Sequence, residues 1–225
     1  MIKKINNLGD AGVYCDFGDE INIKTNSKVI SVFRALQSSK INGIINLAPS
    51  YNKLIVTFDL SQTNFSKIKN EIENLEIKNI KNDKSKIIDI PVCFDEEFSL
   101  DIERLKTKLD LTKDEILEKY LIKNYFCYMT GFVAGMPFLG DLEQKLQLKR
   151  LETPRVKVPK GSVGLTEQFC NIYTFESPGG WNIIGNTPLQ IFNKNNELSP
   201  NLIKPGDTVK FIKISKQEYL EHNDK

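Results

Sequence analysis

The chain has 225 residues, with 31 Lys and Arg against 29 Asp and Glu and a single histidine, His222, three residues from the end. A His-ligated metal site, a Ser/His/Asp triad or a Cys/His dyad needs an imidazole held by the fold, and terminal residues are usually poorly ordered, so any chemistry falls to carboxylates, hydroxyls, Lys, Arg, backbone amides or a partner. A formal charge of +2, with 40% hydrophobic and 27% charged residues, is an ordinary globular composition and gives no electrostatic reason to expect nucleic acid or a membrane surface.

The N-terminus, MIKKINNLGD, has no apolar signal-type region, and no segment approaches the roughly 18 apolar residues of a membrane span. A cytoplasmic protein is expected. Residues 11–17 alternate as a strand, and Val29, Ile30, Phe33 and Leu36 follow at helical spacing within 23–37. Residues 43–49 and 53–59 are β-rich runs joined by Ser50-Tyr51-Asn52, a hairpin signal; Phe65, Ile68, Ile72 and Leu75 mark a second helix. A further strand follows, around Glu76–Ile80 or at Lys86–Cys93. The order β-α-β-β-α-β predicts a ferredoxin-like α/β domain over 1–83. The polar, basic run Asn79–Lys86 marks the boundary, a solvated linker or a binding patch.

Two short helices come next, one on Leu100, Ile102 and Leu105, the other opened by a capping box, Thr112 with Glu115. Residues 131–225 then hold 9 of the 13 glycines and 7 of the 9 prolines. Short strands between Gly/Pro turns predict a β-barrel or sandwich over 84–225. The four cysteines, Cys15, Cys93, Cys127 and Cys170, are far apart, include no C-x-x-C pair, and read as small buried hydrophobes in a reducing compartment. No resident metal is expected.

Three stretches of the second half carry candidate chemistry. In 128–140, Gly131, Gly135, Gly140 and Pro137 form an apolar loop whose backbone approaches a ligand or partner closely, or else a buried barrel corner. Its spacing is not that of a phosphate-cradling loop, and none occurs elsewhere in the chain. In 150–164, Arg150 and Arg155 are two of only four arginines; a planar guanidinium suits bidentate contact with carboxylate or phosphate, and surface ion pairing is the other reading. In 176–181, Glu176-Ser177-Pro178-Gly179-Gly180-Trp181 sets the only tryptophan beside a turn whose amides suit an oxyanion or a carboxylate, or simply a hairpin capping the core. Ser177 lies in no G-x-S-x-G elbow and has no resident histidine base.

In order, GFVAGMPFLG, TPRVKVPKGSVG, IYTFESPGGWNIIGNTPLQIF and PGDTVKF resemble the family of 5-oxoprolinase B-type subunits, also described as allophanate hydrolase subunit 1, which includes a sporulation-kinase inhibitor. The resemblance begins at Leu8-Gly9-Asp10-Ala11, passes through Pro49-Ser50-Tyr51 and Ile90-Pro91-Val92-Cys93, and covers nearly the whole chain. It implies an α+β architecture: the small α/β domain followed by a cyclophilin-like β-barrel carrying the motifs. It implies one component of an ATP-hydrolysing enzyme, inactive alone, that opens 5-oxo-L-proline to L-glutamate. Its partners would be a C-type 5-oxoprolinase subunit and a third, A-type one. ATP would be bound mainly by a partner or across an interface, and no biotin attachment site occurs here.

On that resemblance the site holds a substrate carboxylate and stabilises phosphoryl charge through Arg155 and the amides near Gly179 and Gly180. Gly161 and Ser162 shape the same wall with Pro178 and Trp181, Gly131, Gly135 and Pro137 form interface or site wall, and Glu176 is an acid/base or a structural residue. Where relatives have a proline, a histidine, a small residue and Gln-Thr-Gly, this chain has Ala134, Tyr120, Lys160 and Phe169-Cys170-Asn171. Two alternatives stand beside the hydrolase component: half of a urea- or allophanate-type carboxyltransferase using a separate biotinylated carrier, and a non-catalytic inhibitor of a histidine kinase.

Overall fold

Two units make up the chain, Met1–Ser85 and Lys86–Lys225, in a computed structural model that describes residues 2–77 and 86–223. In the first, strands β1 (Lys4–Leu8), β2 (Gly12–Asp16), β3 (Ile44–Pro49) and β4 (Lys53–Phe58) form an antiparallel sheet in the order β1-β2-β4-β3. Alternation turns Val13 and Cys15, and Leu54, Val56 and Phe58, to one face. There they meet Val29, Val32 and Leu36 of α1 (Ile23–Ser39) and Ile68 and Ile72 of α2 (Phe65–Glu73). Asn22 and Asn64 cap the two helices, their side-chain oxygens accepting from the N–H groups of Thr25 and Lys67. Asn26, buried on α1, donates to the carbonyls of Ser50 and Tyr51 and so ties the hairpin turn to the helix.

The order from β2 to α2 is the expected β-α-β-β-α, but the expected closing strand is not in this sheet. Ile87–Cys93 is a strand (β5) of the second unit's barrel, and the alternative around Glu76–Ile80 lies partly outside the described residues, as does the boundary run apart from Lys86. The edge beside β2 is held instead by β1. Its sequence, KINNL, has only two apolar residues and four of its five positions are exposed, so it shows little periodicity.

In the second unit β5 is followed by α3 (Ile102–Leu109), α4 (Lys113–Leu121), β6 (Asn124–Thr130), β7 (Pro137–Gly140), β8 (Arg155–Val158), β9 (Ser162–Thr166), β10 (Phe169–Ile172), β11 (Ser177–Gly179), β12 (Asn182–Asn186), β13 (Thr208–Ile214) and α5 (Lys216–Asn223). Seven strands close a barrel in the order β10-β7-β6-β13-β5-β12-β9, with β10 pairing back to β9. Only β13 and β5 run parallel. β8 and β11 form a separate two-stranded ribbon.

Val163, Leu165, Cys170, Ile172, Leu139 and Ile184 point into the barrel and pack with Leu105, Ile116 and Leu117 of the helices. Thr112 and Glu115 make the expected capping box at the start of α4. Tyr120, at one of the departures from the family pattern, is fully buried and stacked between Tyr125 and Phe211, both at 5.1 Å between ring centres. All four cysteines are buried free thiols, and burial pushes Cys15 and Cys170 up to about 12. The last helix is docked on the barrel. Tyr219 of α5 donates to Asn186 Oδ1 at 2.9 Å and packs on Phe98, and His222 is exposed in the last turn of this helix. Among the described residues no helix is long and apolar enough to cross a membrane.

Candidate functional site

A strand that sends alternate residues into the barrel sends the others outward. Between the inward Val163 and Leu165 lies Gly164; between Cys170 and Ile172 lies Asn171; Phe138 adjoins Leu139, and Ile183 adjoins Ile184. β7, β10, β9 and β12 are neighbours around the barrel, so these outward residues form one patch of outer wall. Met136, Val158, Tyr173 and Ile183 make a second, smaller apolar cluster there, joined by Val133 and Phe138. It is roofed by the β8–β11 ribbon and by residues 131–136. Segments 131–140, 155–164 and 172–183, separate in the sequence, converge on it.

Arg155, at the start of β8, donates from Nη1 to Asp101 Oδ2 at 2.9 Å and from Nη2 to Asp101 Oδ1 at 2.7 Å. Asp101 is 5% exposed. Its Oδ2 also accepts the Ile183 N–H at 2.7 Å, and its own N–H donates to the Ile183 carbonyl at 2.9 Å. One carboxylate thus fastens the ribbon to β12 and to the start of α3. Nearby, Arg104 donates to Asn182 Oδ1, and Asn182 Nδ2 donates to the Leu165 carbonyl at 3.0 Å. The sequence reading missed Asp101. It precedes a helix and looks like an N-cap, yet its side chain makes no capping bond, and no spacing ties it to an arginine 54 residues away.

Gly179, opposite Arg155 in the ribbon, lies directly on the Tyr173 hydroxyl, leaving no room for a Cβ. Burial raises the Tyr173 phenol, against the Asn171 amide, the Trp181 N–H and the Arg155 charge, which all favour the phenolate. Trp181 is half-buried and meets Phe138 edge-on at 5.6 Å. Gly180 accepts the Leu151 N–H at 2.7 Å, and Pro178 is exposed. Gly161, in a left-handed conformation (φ +82°) against the Thr187 carbonyl, donates its N–H to the Tyr173 carbonyl at 2.7 Å; Ser162 is buried and its carbonyl accepts the Tyr173 N–H at 2.9 Å.

The apolar loop joins the cluster through Met136 and through Thr174, whose hydroxyl donates to the Ala134 carbonyl at 2.7 Å. Gly135 (φ +70°) is pressed against Phe192, the Gly131 N–H donates to the Met136 carbonyl at 3.0 Å, and Pro137 opens β7. Glu176 is not gathered with the others. It pairs with Lys157 at 3.0 Å, with both side chains more than half exposed.

The outer wall thus joins a buried carboxylate–guanidinium pair to glycine-rich ribbon and loop segments, in a chain of the carboxyltransferase-domain class. The chain belongs to that family: residues 3–203 match the model for the carboxyltransferase domain, subdomain C and D. It is 31% identical to the B-type subunit of 5-oxoprolinase from Bacillus subtilis, over 98% of this chain and 97% of that one. It is 34% identical to the corresponding 5-oxoprolinase subunit from Haemophilus influenzae, over 91% and 95%. The crystal structure of the urea amidolyase of Kluyveromyces lactis shares the fold, with a TM-score of 0.79 at 19% identity over 98% of this chain and 15% of that one. The family resemblance read from the motifs therefore holds.

Proposed function

We propose that this chain is the B-type subunit of a 5-oxoprolinase, acting with C-like and A-like subunits to open 5-oxo-L-proline to L-glutamate at the expense of ATP. End-to-end similarity to two bacterial subunits of that name carries the reading. The site supports it, since three of the motifs, in 131–140, 155–164 and 172–183, converge on one wall. In this reading the two units correspond to a ferredoxin-like domain and a cyclophilin-like barrel.

A lactam carbonyl is a poor electrophile. Transfer of a phosphoryl group from ATP to its oxygen makes the carbon open to water; the C–N bond then breaks, the nitrogen takes a proton, and phosphate leaves with a second water. The chain's own residues orient the ring on the outer wall: the Gly179–Gly180 backbone and the wall of Gly161, Ser162 and Trp181, with Arg155, whose guanidinium is taken up by Asp101, fastening the ribbon beside them. The nucleotide fits this chain poorly, because no phosphate loop occurs in it and two of its four arginines are already engaged. ATP is therefore assigned mainly to a partner. Glu176 and Lys157, exposed on the ribbon, belong to the surface that partners complete.

Co-expression with C-like and A-like subunits tests this. Glutamate release from 5-oxo-L-proline is expected to need ATP and every component, and a well-folded complete complex without turnover would sink the reading. The family description favours a second one, half of a biotin-dependent carboxyltransferase. Carboxyl transfer from carboxybiotin by the same complex would establish it in place of the first.

A further inference from the structure

We infer that Tyr219 and Asn186 are positioning residues: the docked helix α5 sets, through the Asn186 carboxamide, the turn at Lys160–Gly161 that forms one wall of the site. The inference deepens the proposed function and rests on it for what that wall does, which is to orient the ring.

Asn186, the last residue of β12, is 5% exposed and uses both ends of its amide. Nδ2 donates to the Lys160 carbonyl at 2.9 Å, and Oδ1 accepts the Tyr219 hydroxyl at 2.9 Å. One planar group thus joins the helix to the turn. The approach is close on the turn side, where a Cβ on Gly161 would lie 2.5 Å from Asn186 Oδ1. Gly161 passes the constraint on. Its carbonyl accepts the Thr187 N–H at 2.9 Å, and its N–H donates to the carbonyl of Tyr173, the residue whose hydroxyl lies against Gly179. A chain of hydrogen bonds and contacts therefore runs from α5 to the ribbon.

The helix has few other holds on the barrel. Of residues 216–222, only Tyr219 is not exposed. Ser215 and Glu218 cap the start, and Lys216 pairs with Glu97 at 2.7 Å. Both partners of that ion pair are about half exposed, so it contributes little. What docks α5 is the Tyr219 ring, 4.5 Å from that of Phe98, together with its hydroxyl. An element with so few buried contacts adds little to the core and opens easily. Its hydroxyl has a separate effect, because it fixes the orientation of a buried amide. Remove that hydroxyl and Asn186 Oδ1 loses the donor. The amide can then rotate, and the Lys160 carbonyl is no longer held in one place.

The test is hydrogen exchange of the full chain carrying Tyr219→Phe, Asn186→Asp or both. Tyr219→Phe keeps the ring on Phe98 and removes only the hydroxyl; Asn186→Asp keeps the acceptor and removes the donor to Lys160. Each is expected to speed exchange of the Gly161 and Thr187 N–H groups by at least about tenfold, the scale of one good hydrogen bond. The double variant should go no further than the larger single effect, and the Cys127 N–H on β6, three strands from β12, should keep its protection. Unchanged exchange at Gly161 in Tyr219→Phe, or fully additive effects in the double variant, overturns the inference. If Asn186→Asp fails to fold, Tyr219→Phe decides alone. In the complete complex Tyr219→Phe is expected to raise KM for 5-oxo-L-proline several-fold with kcat little changed, as loss of uniform binding does. An unchanged KM in a working complex also overturns the inference, and with a lowered unfolding midpoint it would make Tyr219 a structural residue only. A complete, unaltered complex without turnover removes the proposed function alone, because the exchange result needs no substrate.

Discussion

Asp101 accepts both arms of the Arg155 fork and the Ile183 N–H while almost wholly out of water. Removing the guanidinium leaves a buried charge with one donor, which costs more than the pair itself contributes. Arg155 is 29% exposed along its side chain, so water replaces part of what is lost. Arg155→Ala is therefore expected to lower unfolding stability by about 2 kcal/mol, and Asp101→Asn, which still accepts from Ile183, by less. Urea denaturation of the two variants measures this. Unchanged stability with reduced activity of the complex would make Arg155 a substrate contact and not a fastener. Tyr120 is the opposite case. Its ring is stacked in the barrel core, so this departure from the pattern of the resemblance belongs to packing and not to the site wall.

The ribbon of β8 and β11 is where element-level packing meets the site. Its register on the barrel is set by Gly179 lying on the Tyr173 hydroxyl. An alanine at 179 puts its methyl on that oxygen, and the ribbon must shift. Gly179→Ala is expected to cost about 1–3 kcal/mol, as overpacking does, and Tyr173→Phe in the same chain should recover much of the loss. A double-mutant cycle reads the coupling directly; additive effects would mean that the ribbon is not seated on Tyr173. The helices and the Ser50–Asn52 hairpin were legible because each repeats its apolar residues along one face. β1 was not: with Ile5 and Leu8 its only apolar residues, its place comes from backbone pairing to β2. Nor was the destination of Ile87–Cys93, since an apolar run does not say which sheet it joins.

At the scale of the whole molecule, the segments that hold the site were visible as glycine-rich motifs, and the family resemblance followed from their order. Their convergence on the outside of a barrel was not visible, because it depends on which strands become neighbours. Asp101 shows the limit. It resembles a helix cap, and it acquires meaning only from the partners it finds across the fold.

The position of β13 has a consequence for the order of folding. This strand lies between β5 and β6, pairing Thr208 with both Ile87 and Phe126. A ribosome releasing the chain from its N-terminus delivers six walls of the barrel before the one that belongs in their middle. Until then β5 exposes an unpaired edge, so closure waits for Thr208–Ile214 to emerge, as a high contact order requires. A chain ending before Thr208 is expected to lose cooperative unfolding in the second unit, measured by calorimetry or hydrogen exchange. A sharp transition retained there would mean that the other six strands close without it. The nascent protein thus has a late, vulnerable interval, in which a holding chaperone has an open strand edge to protect.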